Sequence, residues 1–319
     1  MSFGAGPNGL LWRDGDEAVD LSGLGDVFAQ RTLNPLMAQG AGVWKDAIAA
    51  AVDHDGPRSL LSDGGLRLPF EVADYVDFYS SLEHATNLGR MFRPDQEPLL
   101  PNWRWLPVAY HGRAGSVVVS GTDVVRPRGQ RKAPDEDAPT FGPTRRLDFE
   151  LEIGFVVGVP TELGETVPVE AFADHVFGLV LVNDWSARDI QAWEYVPLGP
   201  NLGKSFQTSI SAWVTPLALL EDIRVDAPPQ DPPPLEHLAG GREWGLDIAL
   251  EVELNNETIS RGNARTLYWT LPQQLAHATS NGARLRTGDL MASGTISGTE
   301  PGSEGSMIEL FRGERFLED

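Results

Sequence analysis

Short apolar runs bounded by glycine, proline or polar residues recur along most of this chain, and they have the length and β-branched content of strands. The clearest runs are SVVVSG from residue 116, LDFELEIGFVVG from 147, FGLVLVND from 177, LDIALEVELNN from 246 and GSMIELF from 305. Few helical patterns lie between them. The pattern therefore predicts a mostly β fold with some α, built from antiparallel strands and not from a doubly wound sheet.

The N-terminal part carries a hairpin pattern followed by a helical one. Residues 9–20 place an Asp-Gly pair between two apolar runs, which predicts a β-hairpin. Residues 33–52 repeat apolar side chains at spacings of three and four, which predicts an amphipathic helical region. The loop 53–65 is the best linker candidate. The segment 271–282 predicts a further helix, because Pro272 suits the first turn and Gly282 lies just past a plausible end.

Composition narrows the classes of partner. The 319 residues include 46 acidic and 25 basic ones, a net charge of −21, which argues against nucleic acid and anionic membranes and favours a small-molecule partner. There is no cysteine, so disulfides, thiolate metal sites and a cysteine nucleophile are excluded. The N-terminus shows no signal-peptide pattern and no apolar run approaches membrane length, so the expected location is the cytoplasm.

Four acidic residues are candidates for a metal site. Glu150 and Glu152 stand two apart in a strand pattern, so their carboxylates share one face, which is either a solvated surface or a ligand pair. Asp184 ends the run FGLVLVND, and Asp77 lies in DYVDFYSS. Oxygen donors without thiolates suit Ca²⁺ or Mg²⁺ better than zinc.

The stretch from Asn183 to Ser211 has a dense mixture of polar chemistry on predicted loops, which indicates a binding or catalytic site. Its candidate side chains are Asp184, Arg188, Gln191, Tyr195 and Lys204. The segment GPNLGKS is not a phosphate-binding loop, because three residues instead of four separate its glycines.

His84 is the candidate general base. It lies seven residues after Asp77, and its alternative role is that of a structural histidine. A base that takes a proton from water needs an acid to orient it. Glu309, in GSMIEL, is the candidate for that acid, and its alternative role is an ordinary exposed strand residue.

Five long segments together resemble the fumarylacetoacetate hydrolase family, in the same order along the chain from about Asp77 to Leu310. They are DFYSSLEHATN, LPNWRWLPVAYHGRAGSVVVSG, LDFELEIGFVVG, NDWSARDIQAWEYVPLGPNLGKSFQTSIS and LMASGTISGTEPGSEGSMIEL. The resemblance implies hydrolysis of a carbon–carbon bond in a small β-diketo acid to give fumarate and acetoacetate, the last step of tyrosine and phenylalanine breakdown.

The same resemblance implies a role for each matching residue. The implied Ca²⁺ ligands are Asp77, Glu150, Glu152 and Asp184. The implied base and its orienting acid are His84 and Glu309, and the implied groups around the developing oxyanion are Arg188, Gln191 and Lys204. The implied substrate contacts are Tyr79, Arg93, Tyr110, Gln191, Tyr195 and Thr295. Mg²⁺ is implied as a structural ion near Lys204 and Thr208, or in place of Ca²⁺.

The architecture implied by the resemblance is a homodimer of two-domain chains. Residues 1–66 would form a small SH3-like β-barrel, shortened here, and residues 67–319 a catalytic mixed β-roll that stops before the final strands of the family. Two alternatives stay open. One is a related acylpyruvate hydrolase or decarboxylase, and the other is a non-catalytic metal-binding relative.

Overall fold

The computed structural model describes residues 1–61 and 65–318. Its strands are β1 (Ser2–Ala5), β2 (Leu10–Asp14), β3 (Glu17–Asp20), β4 (Arg58–Leu60), β5 (Tyr75–Phe78), β6 (Ala109–His111), β7 (Val117–Val119), β8 (Arg128–Arg131), β9 (Thr140–Pro143), β10 (Leu147–Asp148), β11 (Leu151–Val157), β12 (Val176–Asp184), β13 (Ser186–Ala187), β14 (Thr208–Ile210), β15 (Trp213–Pro216), β16 (Arg224–Val225), β17 (Gly245–Leu246), β18 (Ala249–Leu254), β19 (Glu257–Asn263) and β20 (Leu290–Ala292). Its α-helices are α1 (Asn34–Met37), α2 (Ala41–Val52), α3 (Leu82–Phe92), α4 (Phe172–His175), α5 (Arg188–Glu194), α6 (Leu271–Thr279) and α7 (Met307–Leu310).

One large mixed sheet organises the part of the chain that the structure describes. Ten of its twelve strands follow the order β4-β3-β2-β1-β15-β12-β11-β20-β5-β6, and β14 joins β12 to β7. Neighbouring strands are antiparallel except for the pairs β20–β5 and β14–β7. The predicted mixture of mainly antiparallel strands with some helix is thus confirmed, and the described ranges also contain four separate two-stranded ladders.

The N-terminal hairpin is confirmed, and it forms part of the main sheet. Asp14 pairs with Glu17 across a turn in which Gly15 takes a φ of +63°, a conformation that glycine adopts without strain. Strand β1 pairs with β15, and the ring of Phe3 lies 5.9 Å from that of Phe177 in β12. The apolar face of the N-terminal strands is therefore buried in a core shared with the rest of the chain. The structure does not confirm an SH3-like barrel, and a domain boundary at residue 66 stays a prediction.

The region predicted to be helical at 33–52 contains two helices, α1 and α2. Gly40 separates them with a φ of +86°, and the indole nitrogen of Trp44 donates to the carbonyl of Met37 at 2.9 Å. The linker candidate 53–65 contains a strand, β4, which pairs with β3, while residues 62–64 lie outside the described residues. The helix predicted at 271–282 is confirmed as α6, with Pro272 in its first turn.

The strand predicted for GSMIELF is wrong, because this segment contains the short helix α7. The carboxylate of Asp148 accepts hydrogen bonds from the backbone of Met307 at 2.8 Å and of Ile308 at 3.2 Å. These N–H groups belong to the first turn, where a helix has no internal acceptors for them. A distant side chain therefore stabilises a helix that the alternation of apolar residues does not predict.

Four adjacent strands in the middle of the sheet position the candidate site. Strand β11 lies between β12 and β20, and β20 lies between β11 and β5. Helices α3 and α5 follow β5 and β12 closely in the chain, and α7 follows β20. Residues from distant parts of the sequence consequently converge at this place.

Candidate active site

A cluster of four buried carboxylates lies at the centre of the candidate site. Asp77 is in β5, Glu152 is in β11 and Asp184 ends β12. Glu150 precedes β11 and forms an isolated bridge with Ser306. One oxygen from each of the four acids lies within 4.8 Å of the others, and none of the four residues is more than 5 % exposed. A solvated strand face for the glutamate pair is therefore excluded.

Two of these carboxylates are poorly compensated by protein groups. Burial, and then the nearby charge of Asp184, raises the pKa of Asp77 well above its usual value. Burial, and then the charges of Asp77 and Glu150, raises the pKa of Glu152 in the same way. Asp77 Oδ1 and Glu152 Oε1 are buried without a hydrogen-bond partner. Since buried acceptors are normally satisfied, these oxygen donors fit a hard divalent cation.

The other two carboxylates contact Lys204. Its Nζ donates to Glu150 Oε2 and, at 2.8 Å, to Asp184 Oδ2. Burial opposes a charged lysine, but Asp184 and Glu150 outweigh it and raise the pKa of Lys204. Asp184 also accepts hydrogen bonds from the hydroxyl of Tyr110 at 2.6 Å and of Thr208 at 3.0 Å. Lys204 therefore remains a cation at the edge of the cluster.

Arg188, the first residue of α5, reaches the same cluster. Its Nη1 donates to Glu150 Oε1 at 2.7 Å and to Gln191 Oε1 at 3.2 Å. Burial alone would raise the pKa of Glu150, but Lys204, Arg188 and then His84 hold it below its usual range. Arg188 is 2 % exposed, and its Nη2 has no hydrogen-bond partner. This buried nitrogen is a donor available to a bound molecule.

His84 and Glu309 form a buried pair beside the cluster. His84 Nδ1 lies 2.6 Å from Glu309 Oε2, and the carboxylate also accepts from Asn87, Ser297 and Ser306. Burial would raise the pKa of Glu309, but His84 and the hydrogen bonds from Ser306 and Asn87 lower it to about 2. Glu309 is therefore ionised at neutral pH and fixes the orientation of the imidazole. It is not the exposed strand residue of the alternative interpretation.

Tyr79 and Thr295 are two of the predicted substrate contacts. The ring of Tyr79 meets His84 edge to face at 5.3 Å, and burial followed by the charges of Glu309 and Glu150 raises its pKa. Thr295 is 1 % exposed, and its hydroxyl has no hydrogen-bond partner.

Arg93 and Tyr195 lie at the ends of helices α3 and α5. Arg93 Nη2 donates to the carbonyl of Pro98 at 2.8 Å, and its buried Nε has no partner. The ring of Tyr195 lies 6.4 Å from that of Phe92. An open cavity of about 300 Å³ extends from Tyr110 towards the 200–205 loop. Its lining residues are Tyr110, His111, Gly112, Arg113, Ala114, Pro200, Asn201 and Ser205.

Comparison with known proteins identifies the family. A family model described as the C-terminal part of fumarylacetoacetate (FAA) hydrolase matches residues 74–319. The chain belongs to the fumarylacetoacetate hydrolase family. A fumarylacetoacetase from Caenorhabditis elegans is 52% identical over 307 residues, covering 89% of this chain and 73% of the relative. One from Homo sapiens is 49% identical over 306 residues with the same shares covered.

Solved structures support the fumarylacetoacetate hydrolase fold independently of close sequence similarity. A fumarylacetoacetate hydrolase from Exiguobacterium antarcticum superimposes with a TM-score of 0.65 at 18% identity, covering 100% of this chain and 92% of that one. A maleylpyruvate hydrolase from Sphingobium gives 0.60 at 18% identity, covering 96% and 90%. Among the described residues, no helix has the length and apolar character needed to span a membrane.

Several residues of the candidate site in this fumarylacetoacetate hydrolase family member were not predicted from the sequence. Asp148 contacts Arg188 and α7, and its position two before Glu150 continues the period-two spacing of the acid pair, a signal that could have revealed it. Asn87, Ser297 and Ser306 also went unpredicted. Common polar residues such as these give no sequence signal of their own.

Proposed function

We propose that this chain hydrolyses a carbon–carbon bond of fumarylacetoacetate and releases fumarate and acetoacetate. The observation that carries the proposal is the buried His84–Glu309 pair beside four carboxylates, in a chain about half identical to fumarylacetoacetases. The reaction adds water across the bond: the hydroxyl joins the acyl fragment, which becomes a carboxylate, and the proton joins the departing carbon.

A divalent cation, Ca²⁺ or Mg²⁺, completes the proposed site, held by Asp77, Glu150, Glu152 and Asp184. Two buried acceptors without partners support this assignment. When bound, the cation supplies Lewis-acid polarisation of the keto oxygens. A structural Mg²⁺ near Lys204 and Thr208 is a further part of the proposal. Because an ammonium group cannot act as a ligand, oxygens of neighbouring residues would have to hold that second ion.

His84 takes the proton of the attacking water in the proposed mechanism. Its Nδ1 is directed to the ionised Glu309, so a neutral ring carries its proton on Nδ1 and offers Nε2 as the acceptor. Glu309 stabilises the imidazolium that forms, and the same imidazolium can later return the proton to the departing carbon. The pair therefore supplies the proton transfers of both halves of the reaction.

Arg188, Gln191 and Lys204 stabilise negative charge in the proposed transition state. The partnerless Nη2 of Arg188 is a free donor in a buried site, where such a donor is most effective. Gln191 uses its carbonyl oxygen for Arg188, so its amide N–H groups can donate to substrate. The cation of Lys204 adds favourable charge nearby.

Further side chains would bind the rest of the substrate in the proposed complex. Arg93 can pair with a terminal carboxylate, which would supply local positive charge in an acidic chain. Tyr79, Tyr110, Tyr195 and Thr295 would contact the carbon chain and its oxygens.

We also propose a homodimer, a cytoplasmic location, a role in tyrosine and phenylalanine catabolism, and a division into an N-terminal unit of residues 1–66 and a catalytic unit of residues 67–319.

The deciding experiment follows the loss of the diketone absorbance of fumarylacetoacetate with purified protein. Activity should disappear with a chelator and return on addition of Ca²⁺ or Mg²⁺. An acylpyruvate assayed in parallel tests the related hydrolase reaction, for which the expected rate is lower. Absence of turnover of fumarylacetoacetate by folded, cation-loaded protein would refute the proposal, and faster turnover of the acylpyruvate would favour the alternative.

A further inference from the structure

Asp148 is a fully buried acid outside the four-carboxylate cluster, and its two oxygens are both occupied. Oδ1 accepts from the backbone of Phe149 and of Met307, each at 2.8 Å. Oδ2 accepts from Arg188 Nε at 2.8 Å and from the backbone of Ile308 at 3.2 Å. A buried carboxylate with four donors is held in a single orientation.

These contacts link two parts of the site that have different roles in the proposed reaction, Arg188 and the helix that carries Glu309. Arg188 presents Nε to Asp148 and Nη1 to Glu150, so the two acids fix the plane of the guanidinium and the direction of its partnerless Nη2. Met307 and Ile308 are the first two residues of α7 and directly precede Glu309. One side chain thus contacts both the charge-stabilising arginine and the helix that carries the orienting acid.

The local backbone positions Asp148 beside the start of α5. The short strand β10 pairs with β13, and Asp148 lies opposite Ser186 in that ladder. Helix α5 begins directly after β13 with Arg188. The chain therefore brings Asp148 beside the start of α5 without any contribution from the acid cluster.

We propose that Asp148 is a positioning residue that holds Arg188 and Glu309 in register with each other. This positioning role rests on the proposed function and adds a residue to it. Asp148 contacts neither water nor substrate in this role, and acts through the two groups that do. Loss of its charge would leave the arginine free to rotate and α7 without its N-terminal acceptor.

The test is Asp148→Asn in the full chain. The asparagine amide keeps the size of the side chain but places an NH₂ group where one oxygen accepted two hydrogen bonds. The two hydrogen bonds to that oxygen are therefore lost. The expected result is a kcat lower by about tenfold to a hundredfold, as for other residues that orient catalytic groups. KM should change by less than about threefold, because the substrate contacts remain.

Spectroscopy gives a measurement that a purely structural role would not change. In protein labelled with ¹⁵N-histidine, the Nδ1–H signal of His84 reports on its hydrogen bond to Glu309, and His84→Gln assigns it among the six histidines. Asp148→Asn should shift or broaden this signal. The matched control is Asp289→Asn, which changes another buried aspartate that accepts a backbone hydrogen bond, from Arg286, and should leave the signal and kcat unchanged.

Three results would overturn the positioning role. The first is wild-type kcat in folded Asp148→Asn. The second is a loss of kcat with an unaltered His84 signal. The third is failure of both Asp148→Asn and Asp148→Ser to fold at low temperature while Asp289→Asn folds, which would make Asp148 purely structural. Each differs from failure of the proposed function, in which wild-type protein itself does not hydrolyse fumarylacetoacetate.

Discussion

His84 and Glu309 are 225 positions apart in the sequence, yet their side chains share a 2.6 Å hydrogen bond. A buried charge is costly unless donors surround it. Glu309 has donors from Asn87, Ser297 and Ser306 in addition to the imidazole, and its pKa is lowered to about 2 despite burial. The surrounding residues therefore keep this acid ionised at neutral pH.

Replacement of His84 by glutamine should nearly abolish hydrolysis. The amide can keep a hydrogen bond to Glu309 but cannot take a proton from water, so we expect kcat to fall by about 10²–10⁴-fold. Steady-state kinetics with fumarylacetoacetate measures the effect. His175→Gln is the matched control, since His175 hydrogen-bonds a backbone carbonyl, that of Val159, outside the site. Near-normal kcat in His84→Gln would remove this residue from the mechanism.

Asp289 should make the protein less stable as the pH rises. Burial raises its folded-state pKa from 3.8 to about 6, so the folded state binds the proton more tightly and wild-type stability decreases between about pH 4 and pH 6. Asp289→Asn removes this titration. The difference in free energy of unfolding, variant minus wild type, should therefore increase by about 1 kcal/mol from pH 5 to pH 8.

Denaturant unfolding of both proteins at the two pH values measures that difference. The sign follows from the raised pKa: protonated Asp289 favours folding at low pH, and the benefit disappears once the folded protein loses the proton. A difference between variant and wild type that does not depend on pH would contradict the assignment.

At the scale of elements, the site depends on helices that lie close against loops and strands. Helix α3 carries both His84 and Asn87, and Arg93 follows its last residue. Gly89 lies in the same helix, where an added Cβ would come within 1.9 Å of the carbonyl oxygen of Pro98. The absence of a side chain there sets how closely α3 packs.

Gly89→Ala should therefore lower both stability and activity. The methyl group must push α3 away from the backbone at Pro98, which displaces His84 relative to the acid cluster, and we expect a destabilisation of about 1–3 kcal/mol. Gly42→Ala is the control, because Gly42 is also helical and an added Cβ would meet no atom within 4 Å. The Tm of thermal unfolding and kcat should both be lower for Gly89→Ala than for wild type, and both should be unchanged for Gly42→Ala. Equal behaviour of the two would show that α3 can shift freely.

The long strands, the N-terminal hairpin and α6 could be predicted because their signals are local. Alternation, an Asp-Gly turn and a proline in a first turn each depend on a few consecutive residues. Helix α7 could not, since its first turn is capped by Asp148, 159 positions away from Met307. Helices α3 and α5 were also missed. Helix α3 buries Ala85 and Leu88 at a helical spacing of three, a signal that could have revealed it, whereas α5 has only seven residues and is too short for a clear periodic pattern.

The candidate site was predictable in part for the same reason. Four acids without thiolates indicate a hard cation from residue chemistry alone. Their convergence depends on strand order, which residue spacing does not reveal, and came only from resemblance to a family. The donors around Glu309 are serines and an asparagine, and nothing in their sequence context distinguishes them from surface residues.

At the scale of the whole molecule, cation binding should be coupled to stability. The folded cluster gathers four carboxylates that the unfolded chain separates, so an ion bound only to the folded state stabilises it. We expect a stabilisation of about 2–3 kcal/mol at a free cation concentration a hundredfold above Kd. Chelated protein should thus have a lower Tm than protein with Ca²⁺ or Mg²⁺.

Differential scanning calorimetry with and without cation measures this shift. Glu152→Gln removes one of the two carboxylates with a partnerless oxygen, and its Tm should respond much less to the ion. Identical Tm values for chelated and cation-loaded wild-type protein would argue against a site at this cluster.

Strand β20 separates β11, which carries Glu152, from β5, which carries Asp77. The ribosome makes β5 more than 200 residues before β20, so the middle of the main sheet must stay incomplete in the nascent chain until β20 has been synthesised. Contacts of such long range slow folding. The acid cluster, and with it the capture of the ion, can therefore be complete only after β20 has been inserted between two strands that were made before it.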